Sequence, residues 1–563
     1  MTRYLITSAI PYVNGVKHLG NLVGSLLPAD VHARFRRQTG ADVLFICGTD
    51  EHGTPTELSA ATAGKDARTY CEEQHAIQAD IYHRFGLTFD HFGRSSSQQN
   101  HELTQHFYRR LDASGFIEER DVQQVWSPKD SRFLPDRYII GTCPHCRYGA
   151  ARGDQCDGCG TLLDPPELLD RRSAISGDRN LEIRSSRHLF LRQSLLVDKL
   201  REWVDHRDSW PAWVTSLARS WLTSDLRDRC ITRDLDWGIP VPRPGFEGKV
   251  FYVWFDAPIN YIAITKEWSD TAPSQRDWRD WWWQPADVQY LQFLGKDNVP
   301  FHTVSFPATV LGSGEPWKTV DVIKGFHWLA YRGGKFSTTQ RRGVFTDAAL
   351  DVLPADLWRW WLIANAPESA DVDFDIKRFA GDIGKDLADV FGNLATRATS
   401  FAWRAFDGRI PVDGEPGPLE QVLAQEVDRR LAVLRGLHES LEFRRAAAET
   451  RALWVLANGY IQEQAPWAAI KLDPPRAAVT TRAALNLLAL CAIVGWSIIP
   501  TLANRVLSAF GNASDCPAWP TIPASQLLDA RKGEPIARIE PLVSKLTEVE
   551  IAALEHRFSG AER

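Results

Sequence analysis

The first fifty residues predict a strand, a loop, a helix and a second strand. Arg3 to Ile10 is mostly apolar, as in a buried strand, and Asp42 to Cys47 is a second apolar run. Between them a Pro-Tyr-Val-Asn-Gly loop leads into apolar positions with helical spacing from His18 to Arg37. The helix therefore begins directly after a turn, where free backbone N–H groups and the helix dipole can bind phosphate.

A second strand and helix alternation follows much later in the chain. It covers Val250 to Ala263 and Gln289 to Leu311, with a strand-like segment at Lys318 to Phe326. From about Phe116 to Pro242 the periodicity weakens, and Gly, Pro, Arg and Cys accumulate. This pattern predicts an α/β sheet split by an irregular insertion.

Long helical repeats of Leu, Ala and Val fill the region from Lys385 to about Ala530 and predict a helical bundle. Clear examples are Val422 to Leu441 and Ala446 to Gln464. The segment Ala483 to Asn504 carries no charge and is long enough to span a bilayer. Its scattered polar residues and amphipathic neighbours favour the core of the bundle over a membrane span.

Composition and charge exclude several classes of protein. Of the 563 residues 44% are hydrophobic and 24% are charged, which rules out collagen-like and generally disordered chains. Sixty-five basic residues against 71 acidic ones give a net charge of −6, so nucleic acid could bind only at local patches. The nine cysteines are too few for a disulfide framework, and the N-terminus is a poor signal peptide. We therefore expect a cytoplasmic protein.

Four cysteines have the spacing of a structural metal site. Cys143, Cys146, Cys156 and Cys159 form C-x2-C-x9-C-x2-C, with glycines in the turns. Four thiolates at this spacing suit one tetrahedral Zn²⁺ with no open position, so the metal would organise a fold and would not activate water. A redox dithiol and chance spacing are the alternatives.

Three further segments suit a nucleotide. His18-Leu-Gly-Asn21 opens the first helix, Gly295-Lys-Asp297 ends a predicted strand, and Gly333-Gly-Lys335 begins a basic loop that ends at Arg342. Alone, the first is more simply a helix cap and the last a solvated turn. Together they place phosphate- and ribose-directed groups at the strand ends of one split sheet.

With these segments the chain resembles the methionyl-tRNA synthetases, which are class I aminoacyl-tRNA synthetases, over essentially its full length. The resemblance rests on motifs in both halves of the chain. They are Ile10-Pro-Tyr-Val-Asn-Gly, His18-Leu-Gly-Asn21, Cys47-Gly-Thr-Asp-Glu-His-Gly53, the four cysteines, Arg229-Cys-Ile-Thr-Arg-Asp234, Trp237-Gly-Ile-Pro240, Tyr252-Val-Trp-Phe-Asp-Ala-Pro258, Gly295-Lys-Asp-Asn298, Phe301-His302, Gly392-Asn-Leu-Ala-Thr-Arg397 and Gln464-Ala-Pro-Trp467.

The resemblance implies a set of site residues. Asp50 would bind the amino group of methionine, and a mostly aromatic pocket would hold its side chain, consisting of Ile10, Tyr12, Trp254, Ala257, Pro258, Tyr261 and His302. Such rings suit a polarisable thioether. The implied ATP site comprises His18, Gly20, Asn21, Gly295, Asp297 and Lys335, of which His18, Asn21 and Lys335 would act in catalysis. The implied readers of the anticodon are Asn393, Arg397 and Trp467.

The resemblance also implies a fold and a reaction. A Rossmann-type catalytic domain would be split by the zinc-knuckle insertion and followed by an all-α anticodon-binding bundle. The expected boundaries are 1–117 and 243–326 for the catalytic halves, 118–242 for the insertion, 327–384 for the catalytic loop and stem-contact region, 385–530 for the bundle, and 531–563 for the tail. Methionine, Mg²⁺ with ATP, and methionine tRNA would be the substrates, with one structural zinc and a monomeric chain.

Two positions depart from the family pattern. The loop of the family usually has a second lysine three residues after the first, where this chain has Thr338, and Arg341 or Arg342 could supply the missing charge. Asn21 stands where many members have a second histidine, and its amide can still donate to a phosphate. Besides a working ligase, two alternatives stay open: a synthetase paralogue with weak or no aminoacylation, and a smaller nucleotidyl transferase.

Overall fold

Five parallel strands form the central sheet of the molecule. The computed structural model describes residues 2–153, 156, 158, 159, 161, 163–223, 226–336 and 342–559, apart from the side chain of Lys335. The sheet order is β5-β4-β1-β2-β3, and every neighbouring pair runs parallel. The strands are β1 (Arg3–Ser8), β2 (Asp42–Thr49), β3 (His91–Arg94), β4 (Val288–Gly295) and β5 (Val322–Phe326).

Both faces of this sheet are buried, which explains the nearly continuous apolar runs of its strands. Leu5 and Ile6 follow each other in β1, are fully buried, and belong to the two opposite cores. Helix α1 (Leu27–Gln38) packs in the first core and α2 (Val253–Asp270) mainly in the other. Shorter helices around the sheet are Thr54–Thr62, Ala67–Arg84, Gln98–Ala113, Arg279–Trp282 and Phe306–Gly312.

The insertion separates β3 from β4 and consists largely of antiparallel strands. Ile117–Ser127 pairs with Glu182–Leu191 in a long ribbon, to which Arg132–Phe133 and Arg229–Cys230 add short edges. A second sheet combines Ile139–Thr142, Ala151–Arg152 and Leu169–Ser173, and a third pairs Thr232–Arg233 with Val250–Phe251. The helices of the insertion are Val197–Asp205 and Ala212–Trp221.

After β5 the chain forms a small sheet from Leu329–Tyr331, Gly334–Lys335 and Val372–Phe374. Three helices surround it, Thr346–Val352, Ala355–Ala364 and Ile376–Ile383, and the π-helical segment Gly384–Gly392 leads into the bundle. The main bundle helices are α3 (Asn393–Ala405), α4 (Pro418–Glu439), α5 (Phe443–Gln464), α6 (Pro474–Gly495) and α7 (Pro500–Ala509). Pro466–Ala469, Ala524–Leu528 and α8 (Glu548–Arg557) complete the chain.

The uncharged segment from Ala483 to Asn504 belongs to two helices. Helix α6 ends at Gly495, and Pro500 begins α7, because proline suits the first turn of a helix and disrupts its interior. In the described part of the chain, α6 alone is long and apolar enough to cross a membrane. However, 94% of its most apolar stretch is buried inside the protein. The prediction of a bundle core is confirmed.

Candidate active site

The site lies at the carboxyl end of the central sheet, where β1 and β4 are neighbours. The chain runs from β1 to β2 and β3 on one side and from β4 to β5 on the other. Segments leaving adjacent strands in opposite directions open a crevice that binds ligands in α/β proteins. Two of the predicted motifs follow these strands: Ile10 to Asn21 follows β1, and Gly295 to His302 ends and follows β4.

His18 caps the helical segment that begins at Leu19. Its Nδ1 accepts a hydrogen bond from the Asn21 N–H at 3.3 Å, and its own N–H donates to Oδ1 of Asn21 at 3.3 Å. The chain then passes through a π-helical turn, Leu22–Leu26, a form that is rare and often found at functional sites. Burial, together with the charge of Lys17, lowers the pKa of His18 to about 3. The imidazole is therefore neutral, with its proton on Nε2.

Asp50 is a buried carboxylate with an unused oxygen. It directly follows β2, only 5% of its surface is exposed, and its Oδ1 accepts no hydrogen bond from any described residue. Burial raises the pKa of Asp50 well above its usual range, and the carboxylates of Asp256 and Glu51 raise it further. The positive charge of Lys17 opposes this rise. A bound ammonium group would satisfy the free oxygen and favour the ionised carboxylate.

Helix α2 presents one face to the crevice. Trp254, Ala257, Pro258 and Tyr261 are spaced three and four residues apart, which aligns them along that face. The Tyr261 hydroxyl lies 3.1 Å from Nε2 of His302, whose Nδ1–H donates to the Asn298 carbonyl at 2.9 Å. Burial lowers the pKa of His302 to about 4, so the ring is neutral and its Nε2 accepts a hydrogen bond from the Tyr261 hydroxyl.

The remaining predicted pocket residues lie at its edge. Ile10 is half-buried, and Tyr12 is 39% exposed and forms a bridge with Asp50. The backbone N–H of Val13 donates to the Asp50 carbonyl at 2.8 Å, and the Asp50 N–H donates to the Pro11 carbonyl at 2.8 Å. These bonds bring the loop after β1 beside the proposed ammonium site.

The predicted ribose-directed residues are only loosely tied to this pocket. Gly295 ends β4, and any β-carbon there would lie 2.8 Å from Oδ1 of Asp297. Asp297 is exposed, whereas its neighbour Lys296 pairs with Asp371 at 2.7 Å. Among the described residues, no hydrogen bond or ion pair joins Gly295 or Asp297 to His18.

The four cysteines converge in the insertion. Their sulfur atoms all lie within 4.8 Å of one another, with Sγ separations of 3.6 Å for Cys146 and Cys156 and 4.0 Å for Cys143 and Cys159. Sulfurs bound to one tetrahedral zinc at about 2.3 Å lie about 3.8 Å apart. The cluster fits a structural zinc, and Cys143 and Cys156 are buried while the other two are exposed.

Two of the three predicted anticodon readers touch each other. The guanidinium of Arg397, on α3, lies over the Trp467 ring at 4.9 Å from its centroid. Trp467 follows α5 and is 38% exposed, and Asn393 is exposed at the start of α3. An exposed ring beside a cation and an amide can stack on an unpaired base and read its edge.

Comparisons with known proteins cover both halves of the chain. A family model described as "tRNA synthetases class I (M)" matches residues 4–399, and one described as "Anticodon binding domain of methionyl tRNA ligase" matches residues 410–563. The chain belongs to the methionyl-tRNA synthetase family. The resemblance predicted from the motifs, and with it the split α/β fold and the helical anticodon domain, is confirmed.

Individual relatives agree with this membership over their full length. The chain is 56% identical to the methionine–tRNA ligase of Caulobacter vibrioides and 52% identical to that of Streptomyces avermitilis, and the alignments cover 100% of each protein. Among solved structures, the fold is similar to Mycobacterium tuberculosis methionyl-tRNA synthetase in complex with methionyl-adenylate. That match has a TM-score of 0.75 at 24% identity and covers 96% of this chain and 99% of the other.

In this member of the methionyl-tRNA synthetase family, the position of one residue at the pocket was not predicted from the sequence. The guanidinium of Arg229 lies 4.2 Å from the centroid of the Trp254 ring and 5.7 Å from that of Phe301. Trp254 and Phe301 themselves meet edge to face at 4.1 Å. Burial lowers the pKa of Arg229. Arg229 begins one of the family-like motifs, Arg229 to Asp234, but that motif gave it no role at the pocket, because the arginine meets Trp254 only in the folded chain.

The loop that is expected to act in catalysis, which follows Lys335, lies partly outside the described residues. Lys335 lies in a short strand, but its side chain, Thr338 and Arg341 lie outside the described residues. Arg342 donates from Nη2 to the carbonyls of Tyr331, at 2.9 Å, and Arg332, at 3.0 Å. Arg342 therefore secures the hairpin that carries Lys335.

Proposed function

We propose that this chain is a methionine–tRNA ligase. It activates L-methionine with ATP to methionyl-adenylate and pyrophosphate, and it then transfers the methionyl group to the terminal adenosine of methionine tRNA. The observation that carries this proposal is the buried Asp50 carboxylate, whose Oδ1 accepts no hydrogen bond from the described residues, beside the face of α2 that carries Trp254 and Tyr261. Full-length identity of 56% to a methionine–tRNA ligase supports it independently.

In the first step the carboxylate of methionine attacks the α-phosphate of ATP in line. A carboxylate is already ionised at neutral pH, so this step needs no general base. Asp50 would hold the ammonium group, and Trp254, Tyr261 and His302, with Ile10, Tyr12, Ala257 and Pro258, would enclose the side chain. Catalysis then consists of positioning and charge stabilisation.

His18 and Lys335 would stabilise the charge that develops on the phosphates. The neutral His18 ring donates from Nε2, and Asn21 adds an amide donor at the same helix start. Gly20, Gly295 and Asp297 would complete the ATP site, where Mg²⁺ neutralises phosphate charge. With Arg342 bonded to the hairpin, Arg341 is the better candidate to replace the second loop lysine.

One zinc ion would be held by Cys143, Cys146, Cys156 and Cys159. Because four thiolates leave no open coordination position, the ion would supply folding energy to the insertion and take no part in the reaction. Asn393, Arg397 and Trp467 would read the anticodon.

We propose that the catalytic halves span 1–117 and 243–326, the insertion 118–242, the catalytic loop and stem-contact region 327–384, the bundle 385–530 and the tail 531–563. We further propose that the chain acts as a monomer in the cytoplasm. Its substrates would be methionine, ATP and methionine tRNA.

Amino-acid-dependent exchange of pyrophosphate into ATP, measured with each of the twenty amino acids, tests this function. A ligase gives exchange that depends on methionine far more than on the other nineteen. Exchange without such a preference would contradict the assignment of the methionine pocket. No exchange at all would favour a paralogue without aminoacylation, which Thr338 supports.

A further inference from the structure

The imidazole of His18 is held from several sides by neighbouring groups of the chain. On one edge of the ring, Nδ1 accepts the backbone N–H of Asn21. An imidazole nitrogen that accepts a hydrogen bond carries no proton, so the other nitrogen is the donor. Because the two nitrogens lie on opposite edges of the ring, Nε2–H faces away from the helix that His18 caps.

Two phenylalanines from the two ends of the catalytic loop pack on the same ring. Phe336 lies 4.9 Å from the His18 ring, centroid to centroid, and is tilted by 35°. Phe345 meets it edge to face at 6.3 Å and 75°. Phe345 also forms a β-bridge with His18, and the Leu19 N–H donates to the Val344 carbonyl at 3.0 Å. The loop thus reaches His18 through both backbone and side chains.

Two glycines make room for this arrangement. A β-carbon on Gly20 would lie 3.0 Å from Nδ1 of His18, which is tighter than ordinary contacts. Gly343 has φ +121°, a region that side chains rarely adopt, and a β-carbon there would overlap the Phe336 ring. The glycines at both positions are therefore explained by the placement of the rings.

We propose that Phe336 and Phe345 are positioning residues that hold His18 in one orientation and one tautomer, with Nε2–H free for the phosphate. This inference rests on the proposed function, in which His18 is the catalytic donor. Since Phe336 directly follows Lys335, the same short segment would place the lysine and orient the histidine. The two charge-stabilising groups would then be set by one loop.

The test compares Phe336→Leu, Phe345→Leu and Phe336→Tyr in the full-length protein. We expect both leucine variants to lower kcat for methionine-dependent exchange by roughly 10- to 100-fold, as small misplacements of catalytic groups do. KM for methionine should be unchanged, because the ring contacts of Phe336 and Phe345 among the described residues are with His18 and Tyr331, which are not residues of the methionine pocket. Phe336→Tyr keeps an aromatic ring at this position and should therefore retain most of the wild-type kcat.

Nitrogen-15 NMR of labelled histidine supplies a readout that does not depend on activity. In the wild-type protein the His18 signals, assigned by their loss in His18→Gln, should show one neutral tautomer at pH 7.5. The leucine variants should show a mixture, and their His18 should take up a proton at higher pH than the wild type. Exposed His206 is the control whose signals should not change.

A Lys335→Ala variant separates this role from that of the lysine. It should lower kcat and leave the His18 tautomer as in the wild type. The proposal is overturned if Phe336→Leu keeps full kcat, or if it loses kcat while the His18 signals stay those of the wild type. Should the wild-type protein show no exchange, the proposed function fails, and the NMR comparison still decides whether the rings orient His18.

Discussion

At the scale of single residues, the site is built from groups that are buried without their full set of partners. One carboxylate oxygen of Asp50 accepts no hydrogen bond from the described part of the chain, and burial raises the pKa of Asp50. A buried charge without a counterion destabilises a folded protein. Such a group is therefore typical of a binding site, where a ligand supplies the missing partner. The positive charge of Lys17, whose pKa burial lowers to about 7, partly compensates the Asp50 carboxylate.

Asp50→Asn should raise KM for methionine by about 10- to 100-fold, because a hydrogen bond to a charged group is lost while the shape is kept. KM for ATP should stay within about twofold. Because the folded-state pKa of Asp50 is raised, ionised Asp50 lowers stability at higher pH, so the variant should unfold at the same or higher temperature than the wild type at pH 8. Exchange kinetics and thermal unfolding check these outcomes, and an unchanged KM for methionine would refute the assignment.

Arg229→Met should raise KM for methionine by about 2- to 30-fold, since a cation over a ring contributes about 0.5–2 kcal/mol to holding Trp254. Arg279→Met is the matched control, because Arg279 lies over Trp278 at 4.5 Å, away from the crevice. The control should leave KM as it is. Equal effects of the two variants would mean that Arg229 acts only through stability.

At the scale of elements, local patterns predicted strands and helices well and their junctions less well. Apolar runs identified β1 and β2, and the motif at His18 identified the start of a helix. The strand expected from Lys318 begins only at Val322, because the preceding residues pack in a loop beside Trp282. The break between α6 and α7 was missed, although Pro500 marked it.

The candidate site divides in the same way. Tyr261 and His302 were predicted as pocket residues only through the family resemblance of their motifs, and the structure places the two side chains 3.1 Å apart. Contacts between distant segments could not be predicted. Arg229 meets Trp254, and Phe336 meets His18, only in the folded chain. Such pairs depend on tertiary packing, which local sequence patterns do not encode.

The four-cysteine cluster gives a prediction about one small element. Cys156→Ser should lower the zinc content from one ion per chain to less than about a tenth, because three thiolates bind a structural zinc far more weakly than four. It should also expose the strand Ala151–Arg152 to amide exchange. Cys516→Ser, outside the cluster, should keep the zinc. Elemental analysis and hydrogen exchange measure both, and full zinc content in Cys156→Ser would contradict the site.

At the scale of the whole molecule, the sheet and the bundle share one hydrophobic core. That core runs from Ile6 in β1 to Leu485 in α6. Phe35 of α1 stacks on His438 of α4 at 4.7 Å, and Arg359 pairs with Asp30 at 2.7 Å while bonding the Ile498 carbonyl. The sheet and the bundle are therefore packed against each other through a continuous buried interface.

This interface predicts a dependence of stability on pH. Both ring nitrogens of His438 are buried without a hydrogen-bond partner among the described residues, and burial, helped by Arg36, lowers its pKa to about 4. The unfolded chain takes up the proton near pH 6.5, so the free energy of unfolding falls as pH drops from about 6.5 to about 4. His438 should account for about 3 kcal/mol of that fall at most.

His438→Phe keeps a ring against Phe35 and removes the titrating group. Its unfolding free energy should fall less steeply between pH 6.5 and 4 than that of the wild type, as measured by denaturant titration. The exposed His206→Gln should retain the wild-type slope. Identical slopes for His438→Phe and the wild type would show that the interface does not respond to protonation.

The most direct test of the central claim is aminoacylation of methionine tRNA with labelled methionine. We expect the purified protein to charge most of this tRNA when ATP and Mg²⁺ are present and to leave other tRNAs uncharged. Formation of methionyl-adenylate with no transfer to any tRNA would contradict it.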